Sequence, residues 1–192
     1  MVDNQLQKLY SIPKRVFLDS CTLQTLQDYG EFIYDGGQIP DDDQIWLVPE
    51  LFEEVRALHE IMLVAQRAHF EFALSRNSLS EVTARNKHDY LQWAFEMIDY
   101  WESCLNLYRR TGPFTGRGKI LIESTNWNSF GYLSRKDLAL IKDAILFECS
   151  AFLTIERKLA KNTSHLEKML GLKILRPLDF WYLLRPWAPL IL

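Results

Sequence analysis

A three-layer α/β/α domain around a mostly parallel sheet is the fold class this sequence predicts. Short apolar runs recur along the chain at Val16–Leu18, Phe70–Leu74, Ala151–Thr154 and Leu172–Leu175. The segments between them space their apolar residues by three or four, the period of an amphipathic helix. Buried strands alternating with such helices are the pattern of an α/β domain with a parallel sheet. Two of the runs also deliver a carboxylate at or just beyond their ends, Asp19 and Glu156. Ligands of open α/β sheets bind outside the carboxyl ends of the strands, so this is where chemistry is expected.

The elements follow in order. Val16–Leu18 reads as the first buried strand, and Leu23, Leu26 and Tyr29 mark a helix after it. Gly36-Gly37 and Pro40-Asp41-Asp42-Asp43 form a loop. From Trp46 to Ala68, Leu47, Leu51, Val55, Leu58, Met62 and Ala65 give an amphipathic helix whose first turn suits Pro49; Glu53 and Glu54 are expected on its wet face. Phe70–Leu74 is the second strand. Ser78 and Glu81 have capping-box spacing at the start of the next helix. Tyr90–Tyr108 is a long helix with Leu91, Ala94, Phe95, Ile98, Trp101, Leu105 and Tyr108 on one face, and its aromatics are expected in the core. Glycines and a proline between Thr111 and Gly118 end it, and Lys119–Ile122 reads as a short strand. Ser134-Arg135-Lys136-Asp137 starts a helix that runs to about Phe147. Ala151–Thr154 is a strand, Arg157–Leu170 a helix and Leu172–Leu175 the last strand. Pro177 opens a final helix through Phe180 and Leu184.

A chain of 192 residues suits one domain, expected over 12–184, with 27–68 as a helical insertion and 185–192 as an apolar tail. Apolar residues make up 48% and charged residues 24%, ordinary for a globular protein. The net charge of −3 gives no overall pull toward nucleic acid or anionic lipid, so any such contact needs a local basic patch. Cys21, Cys104 and Cys149 are odd in number and far apart, which argues against a disulfide framework and a cysteine zinc site and for a reducing, cytoplasmic setting. Met1–Ser11 has no apolar signal core, and no apolar run approaches the roughly 20 residues that span a bilayer. No membrane association is expected.

Four acids fall where this architecture gathers them. Asp19 ends the first strand, Glu81 lies in the helix after the second, Asp137 opens a later helix, and Glu156 follows the Phe152-Leu153-Thr154 strand. Each has a bland explanation: a strand-end cap, a capping box, a favourable first-turn charge, a surface ion pair. Their joint occurrence is the informative fact.

Val-Phe-Leu-Asp19-Ser, Phe-Ala-Leu-Ser-Arg-Asn-Ser-Leu-Ser-Glu81-Val, Lys-Asp137-Leu-Ala-Leu and Phe-Leu-Thr-Ile-Glu156-Arg-Lys-Leu together resemble the motifs of the PIN domain nucleases. Gly171-Leu172-Lys173-Ile174-Leu175-Arg176-Pro177-Leu178-Asp179-Phe180 is similar to that family's last strand and helix. The resemblance covers roughly 12–26, 69–85 and 134–184, and 27–68 and 86–133 lie outside it. Glu156 stands where the family usually has Asp, one methylene shorter. Asp143, on the same helix as Asp137, is the alternative third acid; its spacing of 13 to Glu156 is cramped for a helix and a strand, whereas 19 from Asp137 leaves room.

The resemblance implies a PIN-like fold and a divalent-metal-dependent ribonuclease with Mg²⁺ or Mn²⁺ at Asp19, Glu81, Asp137 and Glu156. Carboxylates forced together raise one another's pKa values unless a cation neutralises them, and their hard oxygens suit these ions. Asp19 and Glu156 are then direct ligands, with Glu81 and Asp137 binding or orienting metal-bound water. Ser20 and Thr154 are candidates to hold the carboxylates by hydrogen bonds. Arg76 and Arg157, flanking the ligand segments, are the candidate RNA contacts. A toxin role with a small antitoxin-like inhibitor, and a homodimer, are further implications; the two long extra segments are atypical of compact toxins. The alternative is a non-catalytic RNA-binding or assembly module on the same fold. A haloacid dehalogenase-type phosphohydrolase wants a second Asp two residues after Asp19, where this chain has Cys21.

Overall fold

The computed structural model describes residues 12–68, 70–80, 82, 88–111, 116–161 and 163–190. In chain order it contains β1 (Arg15–Leu18), α1 (Ser20–Asp28), α2 (Gly30–Asp35), α3 (Pro49–Ala65), β2 (Glu71–Ala73), α4 (Arg76–Ser80) and α5 (His88–Thr111). Then come α6 (Arg117–Ser124), α7 (Arg135–Leu146), β3 (Ala151–Leu153), α8 (Arg157–Ala160), α9 (Thr163–Leu170), β4 (Lys173–Leu175) and α10 (Pro177–Leu184). Short 3-10 turns at Gln44–Leu47, Trp127–Phe130 and Ala188–Leu190 link or extend them.

The four strands form one all-parallel sheet in the order β2-β1-β3-β4. Side chains of a strand alternate between faces, and the core divides accordingly. Val16, Leu18, Ala151 and Leu153 join a cluster with Leu23 and Leu26 of α1, Val55, Leu58 and Ile61 of α3, and Phe180 and Leu184 of α10. Phe17, Ala73, Phe152 and Ile174 join the other, with Ile141, Ala144 and Ile145 of α7, Leu166 of α9 and Trp101 of α5. Helices therefore cover both faces, as the near-continuous apolar strands require. Phe17 stacks on Phe152 across the β1–β3 pair at 5.4 Å. Trp101 is buried, and its indole N–H donates to the Phe72 carbonyl at 2.8 Å, so core packing is the role of that aromatic.

Several elements depart from the sequence expectation. Lys119–Ile122 is helical, inside α6. A four-residue apolar run carries too little period to separate strand from helix, and packing on α7 decides it. Gly118 allows that packing: a Cβ there would stand 2.1 Å from the carbonyl oxygen of Ile145. The insertion helix begins at Pro49 behind a 3-10 turn, not at Trp46. The 157–170 stretch holds two helices, α8 and α9. Phe95 is exposed on α5; the side chains of Leu91, Leu105 and Tyr108 lie outside the described set, as do Met1–Ser11. Ser78 is not an N-cap. α4 starts earlier, with the Ser75 hydroxyl accepting from the Ser78 N–H and the Ser78 hydroxyl accepting from the Ser75 N–H, both at 3.3 Å. Glu81, which the expected box required, lies outside the described residues.

The largest correction concerns Glu54. It was expected on the wet face of its helix and is buried at 1% exposure. Its two carboxylate oxygens accept from the Arg176 guanidinium at 2.7 Å and the Leu178 N–H at 2.9 Å. Glu53, beside it, is half-buried and pairs with Arg56. The periodicity of α3 allowed for one apolar face, but α10 packs along a second stripe of the same helix. Burial pushes the Glu54 carboxyl up, against the pull of the Leu178 N–H and Arg176. The tail behind α10 is partly docked, with Ala188 buried and Leu190 exposed.

Two substitutions test this packing. Glu54→Ala strands a largely buried guanidinium and an N-terminal N–H of α10, and is expected to cost about 3 kcal/mol in urea unfolding. Gly118→Ala pushes a methyl into the α7 backbone and is expected to cost about 2 kcal/mol in the same assay.

Candidate functional site

The chain leaves β1 toward β2 on one side of the sheet and later returns to place β3 on the other side of β1. The crevice between the carboxyl ends of β1 and β3 is thus the point where strand order reverses, the position where open α/β sheets hold ligands. Asp19 follows β1 and Thr154, Ile155 and Glu156 follow β3, so both acid-bearing runs end at this one crevice.

Asp19 has two roles there. Its backbone N–H continues the ladder to the Leu153 carbonyl at 3.2 Å, and its side chain caps α1, accepting from the Thr22 N–H at 2.6 Å. The other carboxylate oxygen accepts a short hydrogen bond from the Thr154 hydroxyl. That hydroxyl in turn accepts from the Glu156 N–H at 3.0 Å, and the Thr22 hydroxyl donates to the Leu153 carbonyl at 3.0 Å. Thr154 therefore joins the two acids: it holds the Asp19 carboxylate with its proton and the Glu156 backbone with its lone pair. Ser20, the other candidate for a supporting hydrogen bond, is buried in the first turn of α1.

Asp19 is 4% exposed and its carboxyl is pushed up to about 6. Burial is the main cause; the hydrogen bonds from Thr154 and Thr22 pull the other way, and the nearby Glu156 charge adds to the rise. A helix cap and a threonine hydrogen bond would hold an ordinary Asp low. Here they are outweighed by desolvation and by a second acid. Glu156 is exposed at the start of α8 and makes no side-chain cap to it. The pair fits a hard cation, which would relieve both the desolvation and the repulsion.

Of the other expected site residues, Glu81 lies outside the described residues, and Asp137 and Asp143 have partners of their own. Asp137 closes a capping box at the start of α7: its carboxylate accepts from the Ser134 N–H at 3.2 Å, and the Ser134 hydroxyl accepts from the Asp137 N–H at 3.0 Å. Asp143, expected as the less suitable third acid, accepts from the Ser75 hydroxyl at 2.6 Å, on the β2–α4 connection, and from the Asn77 amide at 2.8 Å, in α4. Among the described residues, no three His, Cys, Asp or Glu side chains come together closely enough to hold a metal ion. Arg76 is bound by Glu102 at 2.8 Å and Asp99 at 3.3 Å on α5, and Arg157 by Glu50 at 3.1 Å on α3. Both guanidiniums are exposed; Arg76 meets Glu102 as a two-pronged fork, with a further contact from its amino group to Asp99, so each arginine is already engaged by acids.

A cavity of about 340 Å³ lies elsewhere, between α3, α5 and the edge strand β2, lined by Met62, Phe70, Phe72, Trp93, Met97 and Tyr100 among others. It is apolar and does not include Asp19. The three cysteines are free, with Cys21 exposed and Cys149 buried. No helix among the described residues is long and apolar enough to cross a membrane. One feature sequence reading passed over is the charge of the insertion: residues 27–68 hold ten carboxylates and two arginines, leaving the rest of the chain with an excess of bases.

The buried Asp19 sets a pH dependence. Its folded pKa of about 6 lies above its unfolded value, so between about pH 4 and 6 the folded state holds the extra proton. Its contribution to stability is present at pH 4 and is lost as the pH rises through 6. The metal-free wild type should lose about 3 kcal/mol over that window relative to Asp19→Asn, read as the difference between their urea midpoints at each pH. Parallel pH curves for the two proteins would contradict the burial of this carboxylate.

Compared with protein-family models, with curated proteins and with solved structures, the chain matches none.

Proposed function

We propose that this protein is a divalent-metal-dependent ribonuclease of the PIN type, with Mg²⁺ or Mn²⁺ held at the β1–β3 crevice by Asp19 and Glu156. The observation that carries the reading is the buried Asp19 carboxylate, tied through Thr154 to the segment of Glu156 at the point where strand order reverses. An acid held at a pKa of about 6 by burial and by a neighbouring acid is poised for a cation. The motif resemblance supplies the reaction class.

Mg²⁺ or Mn²⁺ held by Asp19 and Glu156 would supply a water of lowered pKa and offset the charge that builds on a phosphate in displacement. The chain's own residues do the rest. Thr154 orients the Asp19 carboxylate, and the cap to α1 prevents its rotation. Glu156 approaches from the solvent side, where its longer side chain has freedom to reach. Glu81 completes the donor set in this reading. Asp137, one oxygen of which accepts the Ser134 N–H, would act in this reading only indirectly, by orienting water. Arg76 and Arg157 are the phosphate contacts of this reading, which requires RNA to displace Glu102 and Asp99 from the first and Glu50 from the second. A toxin role with a small inhibitory partner, a homodimer and a cytoplasmic setting are consistent extensions of this reading. A PIN-fold module without catalysis is the second reading, favoured by the exposed Glu156 and the separation of Asp137 from Asp19's hydrogen-bond network.

The test is cleavage of a single-stranded RNA by the wild type and Asp19→Asn with Mn²⁺ or Mg²⁺. Asp19→Asn is expected to cut the rate by on the order of 10³-fold, and chelation of the wild type to abolish it. Equal cleavage by the two proteins would overturn the site. No cleavage by wild type together with RNA binding would favour the non-catalytic module.

A further inference from the structure

We propose that the turn joining the acidic loop to α3 is a docking surface for a partner protein, and that it receives the apolar face of a basic amphipathic helix. This surface is independent of the metal-site reading.

Trp46 and Val48 are exposed, and Leu47 between them is 82% exposed. Apolar residues scattered singly over a surface need no explanation, whereas a contiguous exposed set does. This set sits on a rigid support. Ile45, the next residue back, is 1% exposed and anchors the 3-10 turn Gln44–Leu47 in the core. The Asp43 carboxylate accepts from the Ile45 N–H at 2.8 Å and from the Tyr29 hydroxyl at 3.1 Å. The Trp46 indole N–H donates to the Pro40 carbonyl at 2.8 Å, and its ring packs on Phe52 at 4.8 Å. Phe52 meets Phe32 at 6.4 Å and Phe32 meets His59 at 5.4 Å, so a row of rings backs the turn. The Val48 N–H closes on the Ile45 carbonyl at 3.0 Å. A partner that covers Leu47 therefore gains its burial without having to order a loop.

Charge decides what that partner carries. Residues 41–55 hold six acids and no base. Asp43 is used in capping the turn, and Glu50 and Glu53 are met by Arg157 and Arg56. Asp41 and Asp42 are exposed and have no hydrogen-bond or ion-pair partner among the described residues. The bond from Trp46 to Pro40 sets their loop against the apolar residues. An acidic rim of this kind repels RNA and an anionic bilayer and attracts lysine and arginine. Two copies of the surface face to face would set acid against acid. An apolar stripe flanked by bases on one helix matches both the apolar set and its rim.

The probe is a synthetic helical peptide of leucine and lysine with its leucines on one face, and the control peptide has glutamate in place of lysine. Binding to the full chain is read from the fluorescence anisotropy of the labelled peptide. The wild type is expected to bind the lysine peptide on the order of tenfold more tightly than the glutamate peptide, a preference that fades at about 0.5 M salt. Leu47→Ser is expected to weaken lysine-peptide binding on the order of tenfold with an unchanged urea midpoint. Val48→Thr, which keeps the shape of its side chain, gives the same reading should Leu47→Ser not fold. A wild type that leaves the lysine peptide unbound, or a Leu47→Ser protein that binds it as tightly as wild type, overturns the proposal. A dimer in light scattering that Leu47→Ser dissolves assigns the surface to a second copy and overturns it too. Leu47-dependent binding to phosphatidylglycerol vesicles does the same in favour of a bilayer.

Discussion

Burying a carboxylate beside the backbone of a parallel sheet is costly, and most of what is distinctive at the strand ends of this protein compensates for that cost at Asp19. One of its oxygens caps α1, and the other takes the hydroxyl proton of Thr154. These contacts tie the end of β1 to the end of β3, reinforced by the Asp19 and Thr22 bonds to the Leu153 carbonyl. The compensation is incomplete, since the carboxyl still sits near 6. Residual strain of that kind is tolerated where a ligand relieves it, and the reversal of strand order places it where α/β sheets hold ligands.

The surrounding architecture repeats the theme of polar groups used as joints. Glu54 binds Arg176 and the first turn of α10, so the insertion helix α3 is part of the core and not an appendage. Asp143 ties α7 to α4, and Arg15 ties β1 to Glu71 on β2 and to the Phe147 carbonyl behind α7. A buried ion pair is weak as a source of stability but expensive to break from one side. That cost falls on the Glu54–Arg176 pair, which fixes how α3 and α10 lie against each other.

Much of the fold was legible because its strands are short, apolar and bounded by turns, and because Ser134, Pro177 and the Gly171 turn mark helix ends by their own chemistry. What was not legible has a common cause: the outcome is decided by a partner far away in the chain. Lys119–Ile122 has a strand's composition, yet Gly118 lets it lie as a helix against α7. Glu54 has a surface residue's identity, yet α10 covers it. Ser78 and Glu81 have the spacing of a capping box, yet Asp143 holds the Ser75 hydroxyl and the helix starts three residues sooner. Within the site, the pairing of Asp19 with Thr154 follows from their strand-end positions. The division of labour between Asp137 and Asp143 does not, because spacing along one helix says nothing about which neighbouring loop each acid meets.

The central claim is that Asp19 and Glu156 hold a divalent cation at the β1–β3 crevice. A crystal grown with Mn²⁺ and measured at the manganese absorption edge tests it most directly. The account predicts an anomalous peak about 2.1 Å from an Asp19 carboxylate oxygen, with Glu156 drawn in as a second ligand. A well-ordered crevice with no peak, or a peak at other carboxylates only, would contradict it.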